Sequence, residues 1–356
     1  VKYRGSTHGR NEYPFLIGPD GLEVLPITSL GLNQQVRNDR ISTGVDGLNE
    51  MLGGAGVFRA SSILISGTSG TGKTTIASSF ADAACRRGET VLFFGFEESQ
   101  PEILRNMASV SLDLNHWIEQ GLLHFHCERP TTLGLEDHLA TMQRLIRKFT
   151  PTMVVIDPVS SLSRSSGAPD VSSMLMRQIY YLKSAGITAV MTALNQGGTE
   201  LEHTEMSISS LVDTWLLAIT LGGNGERNRG MYVLKSRGMA HSNQIREFLI
   251  DDNGVSLIPV YIGPNGVLTG SARAAQEAAE RAVELGLAQE SGELAAALEL
   301  RREAVEQHVI ALRADFDAEV NLTGRLIETG KAREDALMLG RQQQGRQRTV
   351  KPETGP

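Results

Sequence analysis

Gly67-Thr68-Ser69-Gly70-Thr71-Gly72-Lys73-Thr74 follows the apolar run Ile63-Leu64-Ile65 and opens Lys73–Arg87, a stretch with helical spacing. Strand, glycine-rich turn and helix, in that order, is the context in which the GxxxxGKT pattern cradles phosphate. The glycines let the backbone wrap an anion with its N–H groups pointing inward. Lys73 supplies positive charge to the outer phosphates, and the Thr74 hydroxyl can ligate Mg2+. All eight residues, with Thr75 behind them, are candidate nucleotide-binding residues.

Around this loop, short apolar runs alternate with helical stretches from about Arg40 to Val260. Ser62–Ser66, Thr90–Phe96, Met153–Ile156 and Thr188–Thr192 read as buried strands rich in Val, Ile, Phe and Thr. Gln100–Val110, Glu136–Phe149 and Asp170–Ala185 join Lys73–Arg87 as helices. The alternation predicts an α/β fold, a P-loop domain with a mostly parallel central sheet covered on both faces. Thr214–Leu221 and Arg229–Leu234, split by Gly222-Gly223-Asn224-Gly225, read as a hairpin added at the sheet's end.

Two carboxylate positions stand out. Asp157 ends the run Met153–Ile156, where it either caps the next helix or holds the Mg2+ shell beside the phosphate loop. Glu97-Glu98 closes the run Val91–Phe96. The pair either starts a helix, where negative charge is favoured, or activates the attacking group while one member steadies the metal shell. The loop upstream favours the chemical reading at both places, which makes Thr74, Glu98 and Asp157 the candidate metal ligands.

The chain has 356 residues, 40% hydrophobic and 21% charged, room for one domain of roughly 200–250 residues plus additions. Its net charge of -7 argues against a broad grip on nucleic acid, because that affinity comes mainly from neutralising phosphates. Cys85 and Cys127 fit no disulfide framework or metal spacing, so a reducing cytoplasm is expected. No apolar run reaches the roughly 18 residues of a membrane span.

An internal echo bears on organisation. Lys2, Arg4, Gly5 and His8 match Lys235, Arg237, Gly238 and His241, and Phe15-Leu16-Ile17 matches Phe248-Leu249-Ile250 without a gap. Residues 1–39 therefore read as the tail of a preceding copy and a linker, and residues 40–262 as the complete module. After Gly270 the composition turns to Ala, Glu, Leu and Arg. Leu298, Val305 and Leu312 fall seven apart, with Val309 and Phe316 at the partner positions of a coiled-coil seam. Residues 263–340 are thus either a self-associating coiled-coil extension or an amphipathic helix folded back on the domain. Residues 341–356 read as a disordered tail.

Ile41-Ser42-Thr43-Gly44-Val45-Asp46-Gly47-Leu48, Gly53-Gly54 and the phosphate loop together resemble RecA-superfamily ATPases. Phe96-Glu97-Glu98-Ser99, Leu135-Glu136-Asp137-His138-Leu139 and Lys235-Ser236-Arg237-Gly238 narrow the resemblance to the KaiC family of circadian-clock ATPases and autokinases. It covers about residues 1–270, as the second module of such a protein preceded by the end of the first. The resemblance implies a RecA-like fold, a hexameric ring with Mg-ATP between subunits, and Glu97 and Glu98 as catalytic residues, Glu97 first as general base. Arg229, Lys235, Ser236, Arg237 and His241 would reach the nucleotide of the neighbouring subunit. Alone, Lys235 and Arg237 would read as solvated strand charges; their echo at Lys2 and Arg4 favours function.

The run Thr204–Thr214 resembles the stretch in which the family phosphorylates itself, with Ser209-Ser210 as acceptors and Thr204 handling phosphate. From chemistry alone such a run is more often a turn. The implied partners are further copies, with two rings docked through the C-terminal helices, and a KaiB-like protein for the full-length chain. Dependence on KaiA is not expected, since the segment after the core diverges into the long helix. The competing readings are a nucleic-acid-dependent ATPase of the RecA type and a nucleotide-gated scaffold without autokinase activity.

Overall fold

The computed structural model describes residues 15–18, 21–24, 37–164, 168–195, 210–223, 226–252, 254–263 and 266–347. Contacts divide the chain into two units, Val1–Ala274 and Ala275–Pro356. The first begins with a hairpin of β1 (Phe15–Gly18) and β2 (Gly21–Val24). Next come β3 (Arg40–Ile41), α1 (Asp46–Met51) and β4 (Val57–Phe58), with β3 and β4 paired. The alternating core follows: β5 (Ser62–Gly67), α2 (Lys73–Arg86), β6 (Val91–Gly95), α3 (Gln100–Ala108), α4 (Leu114–Glu119) and β7 (Leu123–Cys127). It continues with α5 (Leu135–Phe149), β8 (Met153–Asp157), α6 (Ala168–Ser184) and β9 (Thr188–Leu194). Four strands complete the sheet: β10 (Thr214–Gly223), β11 (Glu226–Ser236), β12 (Arg246–Asp251) and β13 (Gly254–Pro259). A small hairpin, β14 (Tyr261–Gly263) and β15 (Gly266–Leu268), leads to α7 (Gly270–Gln347).

The main sheet has nine strands in the order β13-β12-β11-β10-β5-β9-β8-β6-β7. From β10 to β7 every pairing is parallel, as expected from the strand–helix alternation. The β10–β11 hairpin is not an addition at the sheet's end. β10 pairs with β5 in the middle of the sheet, with Leu216 and Ala218 buried, and β12 and β13 continue antiparallel beyond β11. The pattern also hides β7, where His124 and His126 interrupt the apolar run. Pairing to β6 places it, with the Phe93 and Phe125 rings 5.0 Å apart.

Both faces of the parallel strands are buried. Ile63, Ile65, Phe93 and Val155 pack with α2 on one side; Leu64, Leu92, Phe94 and Ile156 pack with residues of α5 and α6 on the other. Each such side chain contributes about 1.5–3 kcal/mol by leaving water. Gly44 and Gly47 are packing residues: a Cβ on either would lie 2.3 Å from a backbone oxygen, of Ser79 and Leu257 respectively. Thr43 N and Oγ1 each donate to Asn49 Oδ1 at 2.9 Å. The Ile41–Leu48 run therefore locks the layer beneath α2 and β13.

The sequence echo has a structural counterpart. β1 and β2 pair Phe15 with Val24 and Gly18 with Gly21, while β12 and β13 pair Phe248 with Leu257 and Asp251 with Gly254. The two registers superpose with the same offset that aligns the repeats. Phe15 and Leu22 are exposed, whereas Phe248 is buried. The echo at residues 1–14 lies outside the described residues.

Helix α7 runs for 78 residues, roughly 117 Å, straight through Gly286 and Gly292. It includes residues 341–347, expected from composition to be disordered; residues 348–356 lie outside the described residues. Leu298, Val305, Val309, Leu312 and Phe316 are all exposed along it. At its root the Gly270 N–H donates to Glu247 Oε1 at 2.8 Å and the Ser271 N–H to Glu226 Oε2 at 3.2 Å. Carboxylates there favour the positive end of the helix. Among the described residues no helix is long and apolar enough to cross a membrane.

Candidate active site

Parallel strands place their carboxyl ends along one edge, and the loops leaving β5, β6, β8 and β9 meet there. They enclose a cleft of about 320 Å³ lined by Ser69, Gly70, Gly72, Lys73, Thr74, Thr75, Glu97, Glu98, Asp157 and others. Thr68 closes the loop beneath: its carbonyl accepts from Thr71 Oγ1 at 2.8 Å and from Lys73 Nζ at 2.7 Å. Gly67 ends β5 and Gly72 precedes α2 with φ +86°, a conformation that disfavours a side chain. A Cβ on Gly72 would also lie 2.7 Å from the side chains of Phe248 and Ile250.

The charges in the cleft are coupled. Burial pulls the Lys73 ammonium below its ordinary pKa, while Asp157 and Glu97 oppose that shift. Asp157 is 6% exposed, and burial pushes its carboxyl above the usual range against hydrogen bonds from Thr192 and Thr74 and the charge of Lys73. Thr74 and Asp157 therefore form one donor set. Among the described residues no group of three or more His, Cys, Asp or Glu could hold a metal. One hydroxyl and one buried carboxylate instead fit a Mg2+ ion that takes its other oxygens from phosphates and water.

The two glutamates are held separately. Ser161 Oγ donates to Glu97 Oε1 at 2.5 Å, and Asn106 Nδ2 donates to Glu98 Oε2 at 3.1 Å. The sequence motifs single out neither Ser161 nor Asn106. Asn106 lies eight residues after Glu98, two turns into α3, a helix that opens with a capping box at Ser99 and Glu102.

Of the five residues that the resemblance directs to a neighbour's nucleotide, Arg229 alone lines this chain's cleft, with its Nε 3.2 Å from the Gly70 carbonyl. β10 runs parallel to β5, so the early part of β11 passes the phosphate loop and its end lies at the opposite edge. Lys235 is six residues further along β11, about 20 Å away. The Ser236 hydroxyl is buried against the Thr214 hydroxyl at 3.1 Å. Arg237 N donates to the Asp213 carbonyl at 2.9 Å and its Nη2 to the Ser210 carbonyl at 2.8 Å; His241 is exposed. A second cavity of about 360 Å³ lies here, lined in part by Phe58, Lys183, Asp213 and Arg237. Burial, then the Arg237 charge, lowers the Lys235 pKa. Ser210 is exposed; Ser209 and Thr204 lie outside the described residues.

A family model described as "ATPase: KaiC" matches residues 41–261, well over half of the chain. The chain belongs to the KaiC family of ATPases. It is 49% identical over 320 residues to "Circadian clock protein KaiC2" of Synechocystis sp., covering 89% of this chain and 55% of that protein. It is 36% identical over 272 residues to "Circadian clock oscillator protein KaiC" of Picosynechococcus sp., covering 76% and 52%. "Circadian clock protein KaiC3" of Synechocystis sp. is 34% identical over 275 residues, covering 76% and 54%. The chain spans about half the length of these KaiC-family relatives. Its match to KaiC2 must extend into α7, because only the first 269 residues precede that helix.

Proposed function

We propose that this chain is the ATP-hydrolysing module of a circadian-clock-type protein that works between subunits of a ring. The meeting of the phosphate loop, Asp157 and Glu97-Glu98 in one cleft carries the reading. Backbone N–H groups at the start of α2 would receive the phosphates of ATP, with Lys73 at the outer ones. Thr74, Asp157 and Glu98 would hold Mg2+, which when bound would supply positive charge to the phosphates. Glu97 takes a proton from a water whose oxygen attacks the γ-phosphorus, as the bond to ADP breaks.

The roughly 20 Å along β11 from Arg229 to Lys235 argues that Lys235, Arg237 and His241 serve the nucleotide of an adjacent copy. That favours a ring, a hexamer by family likeness. With a serine hydroxyl in place of water, the same chemistry would phosphorylate Ser209 or Ser210. The matching registers of β1–β2 and β12–β13 support a preceding module, on which a KaiB-like partner would act without KaiA, in the cytoplasm. The exposed series Leu298 to Phe316 supports a second contact, in which helices of two rings form a seam. Deleting residues after Ala274 should then halve the particle mass while ATP still binds; an unchanged mass retires the seam.

The reading is tested by incubating the chain with Mg·ATP, then measuring native mass and mapping phosphosites on the same sample. A hexamer or dodecamer with phosphate on Ser209 or Ser210 is expected. Hydrolysis without labelled serine would remove the autokinase, and turnover stimulated by DNA would favour the RecA-type alternative.

A further inference from the structure

We infer that Ser161 is a positioning residue for ATP hydrolysis, holding the carboxylate of Glu97 where it takes a proton from the attacking water. The inference rests on the reading of Glu97 as general base. Glu97 itself is exposed, just past the end of β6. Ser161 is the opposite case. It is 2% exposed and sits in the 3₁₀ turn Val159–Arg164, immediately after the Asp157-Pro158 step, between the buried side chains of Val159 and Leu162. Its own N–H donates to the Pro158 carbonyl at 3.3 Å. Ser160 ties the turn to the end of β9, its Oγ accepting from Leu194 N at 3.0 Å.

A buried hydroxyl needs a partner, so the contact with Glu97 could be no more than satisfaction of Ser161. The same turn shows the local solution: Ser163 Oγ donates to the Ser160 carbonyl three residues back, at 2.6 Å. Ser161 instead crosses to another strand and meets a carboxylate, giving a charge-assisted bond that fixes both distance and direction. The donor that aims Glu97 thus sits four residues after Asp157, in the turn that follows β8.

In the step itself, the water oxygen bonds to the γ-phosphorus, the bond between that phosphorus and the bridging oxygen of ADP breaks, and the water proton passes to Glu97. Ser161 keeps its proton and donates to Oε1 before and after. It contributes orientation, which is felt in turnover rather than in nucleotide affinity.

The test is steady-state ATP hydrolysis by the full chain and by Ser161→Ala, Glu97→Gln and the double variant, with ADP affinity and thermal midpoint measured alongside. Ser161→Ala should lower kcat by roughly ten- to a hundredfold, the loss expected for one hydrogen bond to a charged group. KM and ADP affinity should stay within about twofold, and the same change should cost little in the Glu97→Gln background. An unchanged kcat in Ser161→Ala, or an equal loss in both backgrounds, overturns the positioning role. Full activity in Glu97→Gln would instead sink the reading of Glu97 on which it rests.

Discussion

Helices α2 and α7 are both rich in alanine, yet α2 is buried along nearly its whole length while most of α7 is exposed among the described residues. Every residue from Thr75 to Cys85 is buried, while Leu285, Leu298 and Phe316 of α7 are 72%, 61% and 65% exposed. The difference separates two ways of using a helix. α2 is held by the sheet, so its first residues, Lys73 and Thr74, are fixed at the glycine-rich loop that lines the cleft. α7 is several times longer than the roughly 10–14 residues usual for a globular helix, and its repeating apolar positions have no cover within the described residues. A sustained series of that kind is what a partner helix covers.

The largest contrast is expected on removing one phenylalanine from each region. Phe93→Ala, in the fully buried layer against α2, should destabilise the ATPase unit by about 3–5 kcal/mol in denaturant unfolding. Phe316→Ala should leave that transition within about 0.5 kcal/mol. Equal effects would mean that the two regions do not differ as described. Next in size is Lys73→Ala at the start of α2. It should weaken ATP binding about a hundredfold or more in an equilibrium titration while leaving α-helical content intact, because the charge acts on phosphate and not on the helix.

A smaller effect concerns the opposite edge of the sheet. Asp213 lies 2.6 Å from Lys183 and accepts from Ser62 N at 2.8 Å. Burial alone would raise its carboxyl pKa, but Lys183 and Ser62 outweigh burial and hold it below the usual range. A carboxyl depressed in the folded state stabilises the fold above its unfolded pKa, about 3.9. That contribution is lost as the pH falls below about 4 toward the folded value. Asp213→Asn should therefore lower stability at pH 7 and flatten its decline between about pH 4 and 3, read from thermal midpoints. A parallel decline in both proteins would contradict the assignment.

The cleft was legible in sequence wherever a local pattern carried the chemistry. The phosphate loop announces itself by its flanking strand and helix, and Asp157 and Glu97-Glu98 by the apolar runs they close. What escaped depends on contacts distant in sequence. Ser161 meets Glu97 across 64 residues, a relation no spacing rule contains. β10 looks like one arm of a local hairpin, and only its register with Ile63–Gly67 makes it a central strand. That register also explains why Arg229 lies at this chain's own loop while Lys235 and Arg237, a few residues on, lie at the other edge. The exposure of α7 is the remaining case, since a heptad pattern fits both a covered and an uncovered helix.

The most direct test of the cleft as the site of hydrolysis is Mg·ATP turnover by a Glu97→Gln, Glu98→Gln double variant whose ATP affinity has been measured first. Loss of turnover by at least about a hundredfold with affinity retained is the predicted result. Turnover within a few fold of the unaltered chain would contradict the account, because the carboxylates gathered beside Lys73 and Asp157 would then have no part in the reaction.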